Sequence, residues 1–203
     1  MDDSPEPVLT VIPANEATRE ELAAVFGTTG YAHRCLCQRL KVEGCHWRDA
    51  TQEERERRFG AQTNCGRPEA TATSGLVAFL DGQPAGWVAL EPRPAYPKLR
   101  SSRIPWAGRQ EDPDDDTVWA VTCMVVAREH RGRGLTYALA EAAVDHARSR
   151  GATALEAYAM LTEPGKTITW GELNVGPRQA YEEAGLAQVT HPTKRRVVMR
   201  IDF

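Results

Sequence analysis

Val126-Ala127-Arg128-Glu129-His130-Arg131-Gly132-Arg133-Gly134-Leu135-Thr136 is the most informative stretch of this chain. Ahead of it, residues 118 to 126 are apolar at nearly every position, the pattern of a strand buried on both faces. Behind it, Leu135, Ala138, Leu139, Ala142, Ala143 and His146 or Ala147 share one face, and Glu141, Asp145 and Arg148 lie off it. That spacing predicts an amphipathic helix over 135–150, with Gly151 as its C-terminal cap. Between strand and helix, two glycines allow a tight turn that leaves backbone N–H groups exposed. Such N–H groups, with the partial positive charge of a helix N-terminus, make an anion site, and Arg131 and Arg133 add formal charge. The ligand implied is a phosphate or pyrophosphate. A nucleotide-binding P-loop would need a Gly-Lys-Ser/Thr ending, which is absent. A dinucleotide fingerprint would need Gly or Ala where Tyr137 stands.

The flanking sequence supplies the remaining elements. Leu76 to Leu80 and Gly86 to Leu90, joined through Asp81-Gly82, read as a β-hairpin. Val8 to Ile12 reads as a strand. Thr18 and Glu21 have capping-box spacing for a helix over about 16–26, and Thr51 with Glu54 for a second one ending near Gly60. Ala154 to Met160, Leu186 to Val189 and Arg196 to Phe203 read as strands, and Pro177 to Ala184 as a short helix. The order β-α-α-β-β-β-α-β-α-β-β implies an α/β fold with a mixed sheet, excluding a helical bundle or a β-sandwich.

The segment from Arg131 to Thr136 resembles the acetyl-CoA pyrophosphate loop of the GNAT acetyltransferases, whose pattern is Gln/Arg-x-x-Gly-x-Gly/Ala. Arg131 and Gly134 match it, Gly132 falls where the family often has Gly, and Val126 falls where the family's strand ends. Thr136 departs from it, standing where Gly or Ala is usual. Ala180-Tyr181-Glu182-Glu183-Ala184-Gly185-Leu186 resembles the family's late Tyr-Glu-x-x-Gly-Phe helix, with Leu186 in place of Phe. The resemblance covers residues 76–203, and residues 1–75 match only loosely.

It implies a mixed, mostly antiparallel sheet of about 6–7 strands flanked by about 4 helices. It implies direct acetyl transfer from acetyl-CoA, as co-substrate, to a primary amine. Met124, Val125 and Val126 would offer backbone contacts to the pantetheine arm and acetyl group. Arg131, Gly132, Arg133, Gly134, Leu135 and Thr136 would hold the pyrophosphate, and Tyr181 would protonate the leaving thiolate. Some family members carry a Glu base at the position of Ala120. Here Glu156 on the next strand is the first substitute and Glu91 at the hairpin's end the second. The long 92–117 loop and nearby tryptophans (Trp87, Trp106, Trp119 and Trp170, as core or pocket walls) favour a small-molecule acceptor. Protein lysine or N-terminal acetylation and a non-catalytic acetyl-CoA sensor stay open.

Residues 1–7 read as a disordered acidic, Pro-rich tail, and 8–203 as one domain. Within it, 8–75 form a variable acceptor-side part and 76–203 an acetyl-CoA-binding core. No signal peptide or membrane span is evident. Five cysteines, an odd number, fit a reducing cytosol. His33, Cys35, Cys37, Cys45, His46 and Cys65 lack the spacing of a standard zinc site, so no metal is expected. With 25 basic and 28 acidic side chains and a net charge of −3, no nucleic-acid partner is expected. A homodimer is left open. The run Glu111-Asp112-Pro113-Asp114-Asp115-Asp116 reads as a solvated loop or as a lip that attracts a cationic amine.

Overall fold

The computed structural model describes residues 7–43, 46–162 and 167–203, with backbone alone at 170 and 171. Strand β1 is Leu9–Pro13, helix α1 Arg19–Phe26, α2 Gly30–Cys35, α3 Gln52–Thr63, β2 Gly75–Leu80, β3 Gln83–Pro92 and α4 Arg103–Trp106. Then follow β4 Val118–Val126, α5 Leu135–Ser149, β5 Ala154–Ala157, α6 Trp170–Leu173, α7 Arg178–Glu183, β6 Ala187–Thr193 and β7 Arg196–Asp202. The strands form one sheet in the order β1-β2-β3-β4-β5-β7-β6, parallel at β4–β5 and antiparallel at the other pairings. The expected mixed sheet is present. Seven helical segments are described where about four were expected, because α2, α4 and α6 are only four to six residues long. So short a segment leaves no helical period in the sequence.

Local chemistry explains the long elements. Thr18 Oγ1 accepts from the Glu21 N–H while the Glu21 carboxylate accepts from the Thr18 N–H, so the predicted capping box opens α1. At α3, Thr51 Oγ1 accepts from the Glu54 N–H, but the Glu54 side chain does not complete a box. Arg57 and Arg58, one turn further on, take its carboxylate instead and hold it down to about 2. The hairpin turn at Asp81-Gly82 has φ of 51° and 75°, the left-handed pair that joins twisted strands tightly.

The alternation of β2 and β3 separates two cores. Leu76, Ala78, Leu80, Val88 and Leu90 pack against Leu135, Leu139 and Ala143 of α5 and Tyr181 of α7. Val77, Phe79, Trp87 and Ala89 face the other way, onto Leu22, Val25 and Phe26 of α1 and Phe59 of α3. Trp87 is fully buried there, its ring centroid 5.8 Å from Phe26 and 5.3 Å from Phe59. It is a core residue and not a pocket wall.

Two irregularities open the sheet. Leu90 pairs with Val121 and Ala89 with Cys123, so Thr122 is an extra residue on β4, a bulge of the kind that re-aims side chains beside sites. The β4–β5 pairing stops at Val121 and Ala157, three residues short of the strand end predicted at Met160. Beyond Ala157 the chain follows β7 instead: Val197 donates to the Ala159 carbonyl and Leu161 to that of Arg195. Among the described residues, 122–126 of β4 thus have no strand neighbour on the β5 side.

His146 on α5 packs edge-on against Trp119, with centroids 5.9 Å apart. Burial, then the Arg150 charge, hold its imidazole down to about 4 from 6.5. The unfolded chain therefore takes up a proton below about pH 6.5 that the fold refuses until about pH 4, and stability falls as pH drops through that window. His146→Gln should flatten the Tm profile between those limits. An equally steep profile in the variant would assign the loss to other groups.

Candidate active site

The unpaired end of β4 and the turn after it form one wall of a cleft of about 710 Å³. Met124, Val125, Val126, Arg131, Gly132, Gly134, Leu135 and Thr136 all line it. The opposite wall comes from the α1–α2 connection and α2, and one end is closed by Leu173, Asn174, Gly176 and Pro177. Arg133 does not join its neighbours: it is exposed and lies off the cleft wall.

The loop has the conformation its sequence predicts. Gly132 and Gly134 have φ of 77° and 75°, a region that penalises any residue with a Cβ. Gly134 is the N-cap of α5, which runs for 15 residues. Among the described residues none accepts the backbone N–H of Gly132, Arg133, Gly134, Leu135 or Thr136. The Arg131 Nε donates to the Val126 carbonyl at 3.3 Å, bracing the turn against the strand end. Oriented donors at the positive end of a 15-residue helix, open to a large cleft, suit a pyrophosphate.

At the other end the Met124 N–H, on the unpaired edge of β4, donates to the Asn174 carbonyl at 2.5 Å. This is a carbonyl-binding donor at the point where the strands part.

A smaller cavity, of about 100 Å³, adjoins the cleft and shares Cys35, Cys37, Cys123 and Asn174 with it. Leu99, Ile104, Pro105, Thr122, Tyr158 and Val175 are among its walls, so the 92–117 loop contributes as expected. Trp106 and Trp119 do not line either space. Trp106 Nε1 donates to the Leu99 carbonyl at 2.6 Å, which ties that loop together. The Trp170 side chain and Cys45 lie outside the described residues.

Cys35, Cys37 and Cys123 converge where the two spaces meet. The Cys123 thiol is pushed well up by the neighbouring Cys37 thiol and by burial, and Cys35 is raised chiefly by burial. Both shifts favour the protonated thiol at Cys35 and Cys123. Among the described residues no group of three or more His, Cys, Asp or Glu could hold a metal ion.

The three residues expected to handle protons do not line the cleft. The Tyr181 hydroxyl is buried and donates to the Val175 carbonyl at 2.8 Å, directly behind Gly176 on the cleft wall. Burial pushes this phenol far above its usual range, Cys123 adds to the shift and Arg196 opposes it.

Glu156 is fully buried and meets Arg109, Arg200 at 2.7 Å and Arg93 at 3.5 Å. Its β5 position does point into the interior, but onto arginines of the 92–117 loop and β7 and away from the cleft. Those arginines also take Glu111, and Arg100 takes Asp114. Two of the five acidic side chains of the run, Glu111 and Asp114, are thus paired with arginines of the protein itself.

Glu91 is paired with Lys41. Burial raises its pKa, against Lys41 and Tyr96, which lower it. The buried Tyr96 hydroxyl lies by Thr122 and Glu91 without meeting either in hydrogen-bond geometry. Thr122 in turn lines the smaller cavity. Lys41, Tyr96 and Thr122 escaped the sequence reading, since nothing in their spacing links them.

The acetyltransferase (GNAT) family pattern matches residues 40–164, more than half of the chain, and the protein belongs to that family. Solved structures share the fold at low identity. An N-acetyltransferase from Staphylococcus aureus Mu50 is 12% identical, with 96% of this chain and 98% of that one covered at a TM-score of 0.53. A GCN5-related N-acetyltransferase from Kribbella flavida is 17% identical, with 96% and 98% covered at 0.52. The aminoglycoside acetyltransferase AAC(6')-Ib, solved with coenzyme A and kanamycin, is 18% identical, with 96% and 95% covered at 0.50. No curated protein sequence matches the chain. Among the described residues no helix is long and apolar enough to cross a membrane.

Proposed function

We propose that the protein transfers an acetyl group from acetyl-CoA to the amine of a small molecule. The observation that carries this is the junction of the two spaces. A long cleft with the anion-binding turn at one end meets a small cavity beside Cys123 and Met124, where β4 keeps β3 but has lost β5. Coenzyme A in the aminoglycoside acetyltransferase supports the reading of the first space. The smaller cavity lies between residues of α2, the turn after it and the 97–105 loop, which favours a small acceptor over a protein chain.

Acetyl-CoA supplies an activated thioester, and the chain's part is to hold, polarise and manage protons. The N–H groups of residues 132–136 bind the pyrophosphate. The Met124 N–H, released from Asn174, polarises the thioester carbonyl. Tyr181 remains our candidate for proton donor to the thiolate, since its phenol stays protonated at working pH and lies behind the cleft wall. For the base we place Glu91 ahead of Glu156, because Tyr96 and Thr122 lie between Glu91 and the smaller cavity. Glu156 is engaged by three arginines.

Thiol release from acetyl-CoA with a panel of small amines tests the function. Turnover with at least one of them is expected; acetyl-CoA binding without thiol release would leave a sensor. Tyr181→Phe tests the donor. It should lower kcat by about 10²-fold or more with acetyl-CoA affinity little changed. Losing the bond to Val175 should also cost about 1 kcal/mol of stability. A near-normal kcat would make Tyr181 a packing residue.

A further inference from the structure

The charge of the smaller cavity bears on the acceptor. Its described lining holds two arginines, Arg39 and Arg196, and no acidic side chain. Arg39 sits in the 3-10 turn Gln38–Leu40 that follows α2, and Arg196 opens β7, so the two come from opposite ends of the chain. Arg196 is fixed by two carbonyls, Nη1 donating to Tyr158 at 3.2 Å and Nη2 to Glu172 at 3.3 Å. The Glu172 carboxylate is nearby but is engaged by Arg195 at 2.8 Å and by Thr169. Among the described residues neither Arg39 nor Arg196 has a salt-bridged carboxylate. Burial, and then the Arg39 charge, lower the Arg196 pKa, which places the two cations within electrostatic reach of each other. The Arg39 charge also acts, more weakly than the neighbouring thiols, on Cys123, where the cavity meets the cleft.

Arg39 is exposed and Arg196 half-buried, so solvent screens part of their repulsion, and an anion entering between them would attract both. They would also repel a polycationic acceptor. Guanidinium groups recognise planar carboxylates in particular, through paired N–H donors. The remaining lining is uncharged, apolar or thiol apart from Ser102, Thr122, Tyr158 and Asn174, and about 100 Å³ is well below the ~300–1,000 Å³ of drug-sized ligand pockets.

Resting on the acetyltransferase reading above, we infer that the acceptor is a small amino acid, its carboxylate held by Arg39 and Arg196 and its amine directed to the junction at Cys123. No residue of the acidic run at 111–116 lines this cavity, and arginines of the same protein answer Glu111 and Asp114.

The test compares matched pairs, alanine with alaninamide and β-alanine with its amide, by thiol release from acetyl-CoA. Calorimetric titration of the same compounds into the CoA-saturated protein runs alongside. One of the acids should exceed its amide in kcat/KM by roughly 10²-fold or more, mainly through KM. That ratio should fall below about 10 in Arg39→Gln and in Arg196→Gln, and Arg39→Lys should recover part of it. CoA affinity in each variant shows that it has folded. If the acids bind, the amides do not, and no thiol is released, the transferase reading fails and the carboxylate site stands. Amides that react and bind as well as the acids overturn the inference, as does an acid-to-amide ratio unchanged in both glutamine variants. Acids that neither react nor bind overturn it too.

Discussion

Gly134→Val should abolish measurable acetyl-CoA binding while the protein stays folded. Gly134 is at φ 75°, where a β-branched residue is strongly disfavoured, and it caps the helix whose N–H groups face the cleft. A Cβ there meets no protein atom within 4 Å, so the substitution disturbs no packing. What it changes is the turn itself: relieving the strain rotates the N–H groups away, and the side chain occupies space open to phosphate. The left-handed penalty of about 1–2 kcal/mol is small beside a typical domain's stability. Calorimetry should therefore show an affinity loss of about 10²-fold or more in a protein with a cooperative melt. Unchanged affinity would remove this turn from the cofactor site.

Glu156→Gln should have the largest effect on stability. The substitution keeps shape and deletes one negative charge from a cluster in which Arg93 is 1% and Glu156 0% exposed. Arg93, Arg109 and Arg200 then share Glu111, which is partly in solvent, and Asp202 at the surface. Breaking a buried ion pair from one side costs about 3–5 kcal/mol, because the opposite charge stays buried. For a domain of this size that is about 6–20 °C in Tm. Acetyl-CoA affinity should survive in the folded fraction. A variant of normal Tm with kcat reduced about 10²-fold would instead make Glu156 the base.

How much of this was legible in sequence follows from the range of each signal. The buried strand, glycine turn and amphipathic helix are local, and residues 118–150 fold as their pattern predicts. The Asp81-Gly82 hairpin and the Thr18 capping box are local too. The opening of the sheet was not legible. It depends on Thr122 being one residue too many opposite β3, and on residues 158–161 following β7 after leaving β4. Both are matters of pairing between distant segments. That the expected proton-handling residues lie off the cleft wall was not legible for the same reason. Glu156 was placed on a strand near the cleft, but whether a strand residue meets the cleft or three arginines depends on side-chain partners 44 to 63 residues away. Arg39 and Arg196 are 157 positions apart by their numbers, and only the fold puts them on one cavity.

The central claim is that acetyl-CoA lies along the open edge of β4 with its pyrophosphate on the turn at 131–136. Amide hydrogen exchange of the wild-type protein, with and without saturating CoA, tests it most directly. Strong new protection is expected at residues 132–136, whose N–H groups lack an acceptor among the described residues, and little change in the distal β6–β7 hairpin. Saturation with CoA that leaves the exchange of 132–136 as fast as before would contradict it.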